Sequence, residues 1–292
     1  RSTLFPYTTL FRSMTASVHC FANFLLTKSM QKSSLITERQ GKILTVIIKE
    51  YTETALPVSS GLLIKKYRLP YSSATVRNEM VFLEKRGFLH KPHVSAGRVP
   101  SDKGYRYFID YLMNDRDISK SYIKQLEVEL LKEKAKSARL ERTTAKLLSS
   151  MSKCLVISGV VNKNEYFDFG MHNLLTDPEF SDLDEFSKMT EALDLIDENV
   201  DKILAQLEGE ETKIFIGKEN PIKEIQDFSM IVTPYQLEGG EKGLVALIGP
   251  KRMKYGKNKK LMDYVKELIG KKRKGGAGLA IFTAVIDRKS VV

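Results

Sequence analysis

Between Thr37 and Gly87 the chain carries three short amphipathic segments separated by strong helix breakers, and that punctuation leaves little choice of fold. Thr37-Glu38-Arg39-Gln40 is a capping box, in which the threonine hydroxyl accepts from the backbone and the glutamine amide reaches back. Ile43, Leu44, Ile47, Ile48 and Tyr51 then recur at helical spacing and define one buried face. Pro57 breaks the chain, and a second helix is expected from about Ser59 to Tyr67 with Leu62 and Leu63 inward. Leu69-Pro70-Tyr71 makes a turn, after which Ser72 or Ser73 caps a third helix reaching Arg86. Gly87 sits where a left-handed helix terminator belongs.

The next stretch reads Phe88-Leu89-His90-Lys91, a loop holding Ser95-Ala96-Gly97-Arg98, then Val99-Pro100, the signature of a short β-hairpin with a basic tip. A further helix starts at Ser101 and runs through about Met113. Three helices and a basic hairpin make a winged helix-turn-helix, whose third helix lies in the major groove of a duplex. Helical phase sends Val76, Met80 and Leu83 into the core. It places Ala74, Thr75, Asn78 and Lys85 on the opposite face, with Arg77 at its margin. Asparagine can pair bidentately with adenine and arginine with guanine, while a threonine or alanine methyl can touch the thymine methyl. Ser72, Ser73 and the wing amides are suited to hold phosphates, which sets register without reading sequence. Lys91, His93, Ser95, Gly97 and Arg98 complete the expected contact set from the wing. The plain alternative is that Arg77 and Asn78 are solvated residues of a helical domain. Charge favours the groove: residues 36–112 hold thirteen Lys and Arg against seven Asp and Glu, in a chain of net charge +11.

Residues 119–150 read as one long charged helix with Tyr122, Leu126, Leu130, Leu140 and Leu147 as its apolar stripe. The remainder of the chain is expected to be α/β. Strands are expected at 153–161, 213–217, 228–236 and 243–249, the last two joined by a turn-rich hairpin. Helices are expected across the acidic stretch 178–207, briefly at 221–227, and at 257–272 with Leu261, Tyr264, Val265 and Leu268 on one face. Cys20 and Cys154 are the two cysteines, so no disulfide framework exists and a reducing cytoplasm is the expected location. Four His and two Cys show no metal-ligand spacing, and no cofactor is expected. The apolar run 18–26 is too short to span a bilayer, so no membrane role is expected.

Both ends read as translated sequencing adapter: Thr3-Leu4-Phe5-Pro6-Tyr7-Thr8-Thr9-Leu10-Phe11-Arg12-Ser13 matches one strand and Asp287-Arg288-Lys289-Ser290-Val291-Val292 the other. Residues 1–29 and 275–292 are therefore expected to lie outside the natural product, with Met30 as its start.

The run SSATVRNEMVFLEKRGFLHKPHVSAGRVPSDKGYRYFIDYL, residues 72–112, closely resembles the signature of the HrcA family. The similarity extends to GMHNLLTDPEFSD (170–182), KIFIGKENP (213–221), IVTPY (231–235) and LIGPKRMKYGKNKKLMDYV (247–265), so it spans about 36–268. The resemblance implies an α+β chain: a winged-helix DNA-binding domain over 30–112, a helical linker over 113–150, and a GAF-like regulatory and dimerisation domain over 151–274. It also implies a repressor of chaperone operons that binds an inverted-repeat operator on double-stranded DNA as a homodimer. The GroEL chaperonin is implied as the partner that promotes its active state. Members of this family carry a further dimerisation domain inserted into the GAF-like fold; here 156–161 passes almost directly to 168–171, so that insert is expected to be missing. The long helix 119–150 and the C-terminal domain are then left as candidate dimer contacts.

Three other readings compete. A GAF-like domain can sense a small molecule, although no convergent polar cluster names one. An enzyme would have to use Asp182, Asp184, Glu185 and His172, but acidic residues after Pro178 suit a helix N-terminus, and no nucleophile elbow or phosphate loop is present. The basic run 271–274 would suit an anionic membrane, or simply a helix C-terminus.

Overall fold

The computed structural model describes residues 35–93, 96–113, 140–163, 165–178, 183–194, 196–207, 211–237 and 240–270, with positions 124, 126, 128 and 209 between them. Both terminal segments read as adapter, and the basic run 271–274, lie outside the described residues. The chain divides into two units, Arg1–Met113 and Asn114–Val292.

In the first unit α1 (Glu38–Thr54), α2 (Ser60–Tyr67) and α3 (Ser73–Lys85) follow the expected punctuation. The capping box forms as read: the Thr37 N–H donates to Gln40 Oε1 (2.8 Å) and the Gln40 N–H to Thr37 Oγ1 (3.3 Å). Ser59 caps α2 and Ser72 caps α3, each accepting from the backbone three residues on. Ile43, Leu44 and Ile47 of α1 meet Leu63 of α2 and Val76 and Leu83 of α3 in a core where all six are fully buried. Leu62 departs from the expected inward position; it is 38% exposed, because only Leu63 falls on the side of α2 that faces the core.

The wing consists of β1 (Leu89–His90) and β2 (Val99–Pro100), paired antiparallel. A third strand position, which the sequence did not suggest, comes from Val58, whose N–H donates to Arg98 O (2.9 Å) and whose carbonyl accepts from the Arg98 N–H (2.8 Å). The helix after the wing, α4 (Asp102–Tyr107), widens into a π-helical turn at Phe108–Leu112 and stops at Met113. Phe88 and Tyr107 stack edge to face at 5.2 Å and anchor α4 under the wing.

In the second unit α5 (Leu140–Ser152), β3 (Leu155–Val160), β4 (Glu165–Phe169), α6 (Met171–Leu175), α7 (Leu183–Asp194), α8 (Ile196–Gln206), β5 (Lys213–Ile216), β6 (Phe228–Gln236), β7 (Lys242–Pro250) and α9 (Tyr255–Gly270) come in order. The five strands form one antiparallel sheet in the order β4-β3-β7-β6-β5. Strands β3, β6 and β7 are buried on both faces, which is why they read as continuous apolar runs rather than as alternation. One face buries Leu155, Ile157, Met230, Val232, Leu244 and Ala246 against Leu174 of α6, Met189 of α7, and Val200 and Ile203 of α8. On the other face α5 packs on β3 and β4, and α9 packs on β6. An α+β chain with an N-terminal winged helix is the architecture expected, and the second unit is a five-stranded antiparallel sheet with helices on both faces.

Two expectations need correction here. Residues 140–150, expected in the linker, are not linker: α5 buries Leu140, Ala145 and Leu148 as an integral cover of the sheet, and Leu147 sits one residue off the buried stripe. Strand β4 was not foreseen, since its alternation of half-buried aromatics with exposed Glu165 and Asp168 gives only a weak apolar signal. It pairs with β3 through a three-residue turn, Val161–Lys163, and position 164, so this hairpin holds no inserted domain.

Candidate nucleic-acid interface

Helix α3 is built as a reading head. Its inner face, Val76, Met80 and Leu83, is buried. Glu79 joins that inner face and is held rather than left bare: Gln40 Nε2 donates to its Oε2 (2.8 Å) and Arg39 pairs with its other oxygen. This network locks α3 against α1, so the outward residues are presented from a fixed axis.

Outward, Ala74, Arg77, Asn78 and Lys85 are exposed and Val81 half-exposed, and their three- and four-residue spacing makes one stripe. Arg77 therefore lies within the stripe rather than at its margin. Thr75 does not belong to it: it is half-buried, its N–H donates to Ser72 Oγ (3.1 Å), and its hydroxyl lies 2.8 Å from the same oxygen. The pairing finishes the N-cap, so Thr75 and Ser72 act together in starting the helix. Ser73 is exposed and lies 3.4 Å, oxygen to oxygen, from Ser60 of α2. Both serines stand at the positive end of α3, where backbone amides suit an anionic oxygen.

At the other end Lys103 Nζ donates to Arg86 O (2.8 Å), and Ser101 Oγ donates to Gly87 O (2.5 Å). These bonds satisfy carbonyls that the end of α3 leaves open.

The wing residues divide into two groups. Pro92 and His93 are exposed and Lys91 half-buried along the outgoing arm, and the Ala96 N–H closes a turn onto His93 O (3.0 Å). Ser95, expected among the contacts, lies outside the described residues. Gly97 and Arg98 sit not at a free tip but at the root. A Cβ on Gly97 would come within 2.5 Å of the Val58 carbonyl carbon, so glycine is what lets the return arm run against Pro57 and Val58. Arg98 turns its side chain toward α3, where Nε donates to Glu84 Oε2 (2.8 Å), and the side chain is only 14% exposed. Sequence reasoning missed both Glu84 and Val58 as partners. Glu84 falls one helical step from Lys85 and carried no sequence signal, whereas the lone β-branched Val58 after Pro57 was a faint one.

Of the residues that an enzyme would have to use, only His172 has a described side chain. Asp177 is paired with Arg252 (2.5 Å), His172 is exposed on α6, and Asp182 and the side chains of Asp184 and Glu185 lie outside the described residues. No group of three metal-ligating side chains occurs among the described residues, and no described helix is long and apolar enough to cross a membrane.

Known proteins resemble the chain at the level of both sequence and fold. The family described as "HrcA protein C terminal domain" matches residues 107–258, more than half of the chain. The chain is 29% identical to the heat-inducible transcription repressor HrcA of Acetivibrio thermocellus, over 82% of this chain and 99% of that protein. The protein of the same name from Carboxydothermus hydrogenoformans is also 29% identical, over 82% and 99%. Those alignments run over 352 and 341 residues while drawing on a chain of 292, so each relative carries a stretch without counterpart here. Among solved structures, a hypothetical protein determined at 2.2 Å superposes with a TM-score of 0.66 at 21% identity, covering 80% of this chain and 98% of that one. That likeness supports the fold.

Proposed function

The chain belongs to the HrcA family, and from that premise we propose that it is a heat-shock transcription repressor that binds double-stranded DNA through α3 and the wing. The observation that carries the proposal is the outward stripe of α3, in which Arg77 and Asn78 stand exposed beside the wing on a helix whose inner face is locked by Glu79. Arg77 and Asn78 are the base-reading residues, to guanine and adenine respectively. Ser72 and Ser73 hold a phosphate at the helix start, and Lys85, Lys91 and His93 supply positive or hydrogen-bonding contacts to the flanking backbone. Arg98 and Gly97 serve by shaping the wing that carries them.

The target is an inverted-repeat operator of a chaperone operon, occupied by a homodimer in the cytoplasm. The two reading helices of that dimer meet half-sites related by its two-fold axis. The chaperonin GroEL is the partner that favours the DNA-binding state, and heat acts by filling the chaperonin with unfolded clients. The bound species undergoes no chemistry, so the protein is not an enzyme and needs no cofactor.

The test is a gel shift of the protein on an inverted-repeat operator against a scrambled duplex at two salt concentrations, with and without chaperonin. Preferential binding to the operator by ten-fold or more, strengthened by chaperonin, is the expected result. Equal binding to both duplexes at both salt concentrations overturns the proposal.

A further inference from the structure

The proposed operator contacts all lie in the first unit, yet the second carries a dense basic group that they leave unused. Six of the ten residues 251–260 are Lys or Arg. Arg252 pairs with Asp177 (2.5 Å) and Lys259 with Asp263 (2.6 Å). The first turn of α9 contains no acidic residue. A lysine run along one helix is ordinarily just a solvated face, but here a second element joins in. Lys153, exposed, occupies the turn that closes α5, with φ of 62°. Glycine is the usual occupant of that left-handed conformation.

Lys257 ties the two elements together, since its Nζ donates to Met151 O (2.6 Å) at the end of α5. Burial pushes the Lys257 amine below its ordinary range, and the neighbouring charges of Lys254 and Lys153 push it the same way. Lys153 follows Met151 by two residues and Lys254 precedes Lys257 by three, so one bond gathers the three lysines where the end of α5 meets the start of α9. Like charges gathered in this way are relieved by a polyanion. The residues are lysines, point charges without the planar fork of arginine, which suits phosphates met at no fixed angle.

We propose that Lys153, Lys254 and Lys257 form a second contact to the DNA backbone, taking phosphates without reading bases. This inference rests on the reading of the protein as a DNA-binding repressor. The second contact adds affinity that depends on salt and on duplex length, and it adds no sequence preference.

The test compares the full-length protein with its Lys153→Gln/Lys254→Gln variant, both substitutions being at exposed positions that leave the Lys257 bond to α5 in place. Binding is measured against salt on a minimal operator, and on the same operator extended by about one helical turn at each end. On the extended duplex the magnitude of the slope of log K against log salt should fall by about 3.6, at roughly 0.9 for each of the four phosphates that a dimer of the variant no longer neutralises. The ratio of operator to scrambled binding should be preserved on both duplexes. The Lys153→Arg/Lys254→Arg variant should restore the slope. An unchanged slope on the extended duplex overturns the inference, including the case in which the variant instead loses binding to polyglutamate, which would assign the patch to an acidic protein partner. Absence of operator preference in the unmodified protein sinks the repressor reading instead, while a slope that still falls on long duplexes keeps the lysine contact standing.

Discussion

Arg98, at the root of the wing, donates its Nε–H to Oε2 of Glu84 on the reading helix across 2.8 Å. Its backbone is held at the same time by Val58, with both bonds under 3 Å. The wing, α3 and the segment before α2 are therefore fastened at one residue. Glu84→Ala keeps the positive charge of Arg98 and removes its partner, whereas Arg98→Ala removes the charge itself. Each should lower stability by about 1 kcal/mol, the range for a partly exposed pair with one good hydrogen bond. Each should also speed hydrogen exchange at the amides of Leu89 and Val99, in the wing's two strands, to a similar extent. Faster exchange in Arg98→Ala alone would show that Glu84 is not the tether.

Arg77 and Asn78 stand in the exposed stripe, while Lys91 lies on the wing. Arg77→Ala and Asn78→Ala should each remove roughly 1–3 kcal/mol of discrimination between operator and scrambled duplex while leaving the melting temperature unchanged. Lys91→Ala should weaken binding alike on any sequence and reduce the magnitude of the salt slope by about 2, one contact being lost from each protomer of the dimer. Thr75→Ser should change little, because the hydroxyl that completes the cap with Ser72 is kept. An unchanged ratio of operator to scrambled binding in Arg77→Ala would remove that residue from the reading set.

The helices of the first unit are legible in the sequence because their punctuation is local. A capping serine, a proline and a glycine act within a few residues, so Ser72 and Gly87 mark the ends of α3 without knowledge of anything distant. The inward phase of Val76, Met80 and Leu83 is equally legible. Features that depend on pairing across the chain stay hidden. Val58 joins Arg98 from forty residues away, and Glu84 is chosen as a partner only once the wing has folded back. Helical angle alone places Thr75 outward, whereas its own hydroxyl prefers the cap. In the second unit β6 and β7 are plain as apolar runs. Helix α5 reads as a linker because its buried stripe includes Thr144 and Ser149, polar residues whose burial only the sheet beneath explains.

Gly97 offers a sharper test of the wing, because its role is steric. With alanine there, the new methyl would press on the backbone of Pro57 and Val58, which cannot yield as a flexible side chain would. Overpacking of this kind typically costs about 1–3 kcal/mol. Gly97→Ala should lower the melting temperature and loosen the wing while the α1–α3 core keeps its far-ultraviolet signature. Operator binding should fall with no change in base preference. Full stability in this variant would mean that the return arm does not run against Val58.

Glu50 makes the stability of the first unit depend on acid. Its carboxylate is buried in α1 and accepts from Lys66 Nζ (2.6 Å) and Tyr67 Oη (2.8 Å) of α2. The Lys66 hydrogen bond is the largest influence and holds the carboxyl below its ordinary value of 4.5, against the opposing effect of burial. A carboxyl depressed in the folded state contributes stability that is complete above its unfolded pKa and lost as pH falls through the folded one. Urea midpoints should therefore drop below about pH 4.5 more steeply in the unmodified protein than in Glu50→Gln. At neutral pH the variant should be less stable by about 1–3 kcal/mol, discounted because Lys66 is half exposed. Parallel acid limbs for the two proteins would assign the acid sensitivity to other carboxylates.

Cys154, at the start of β3, tests the packing of the second unit. Its thiol is buried beside Asn258, and burial above all pushes its pKa up to about 12, with the Ser152 hydrogen bond acting weakly in the other direction. The thiolate is the nucleophile, so at pH 8 almost none is available and an aqueous reagent has no path to it. In a Cys20→Ser background a disulfide reagent should label the native protein only as fast as the second unit opens, and label it at once in denaturant. Gly249→Ala should accelerate labelling, because a methyl there would stand 2.8 Å from the Cys154 sulfur and push β3 from β7. Rapid labelling of the native, unsubstituted β7 would mean that the edge of the sheet under α9 is open to water.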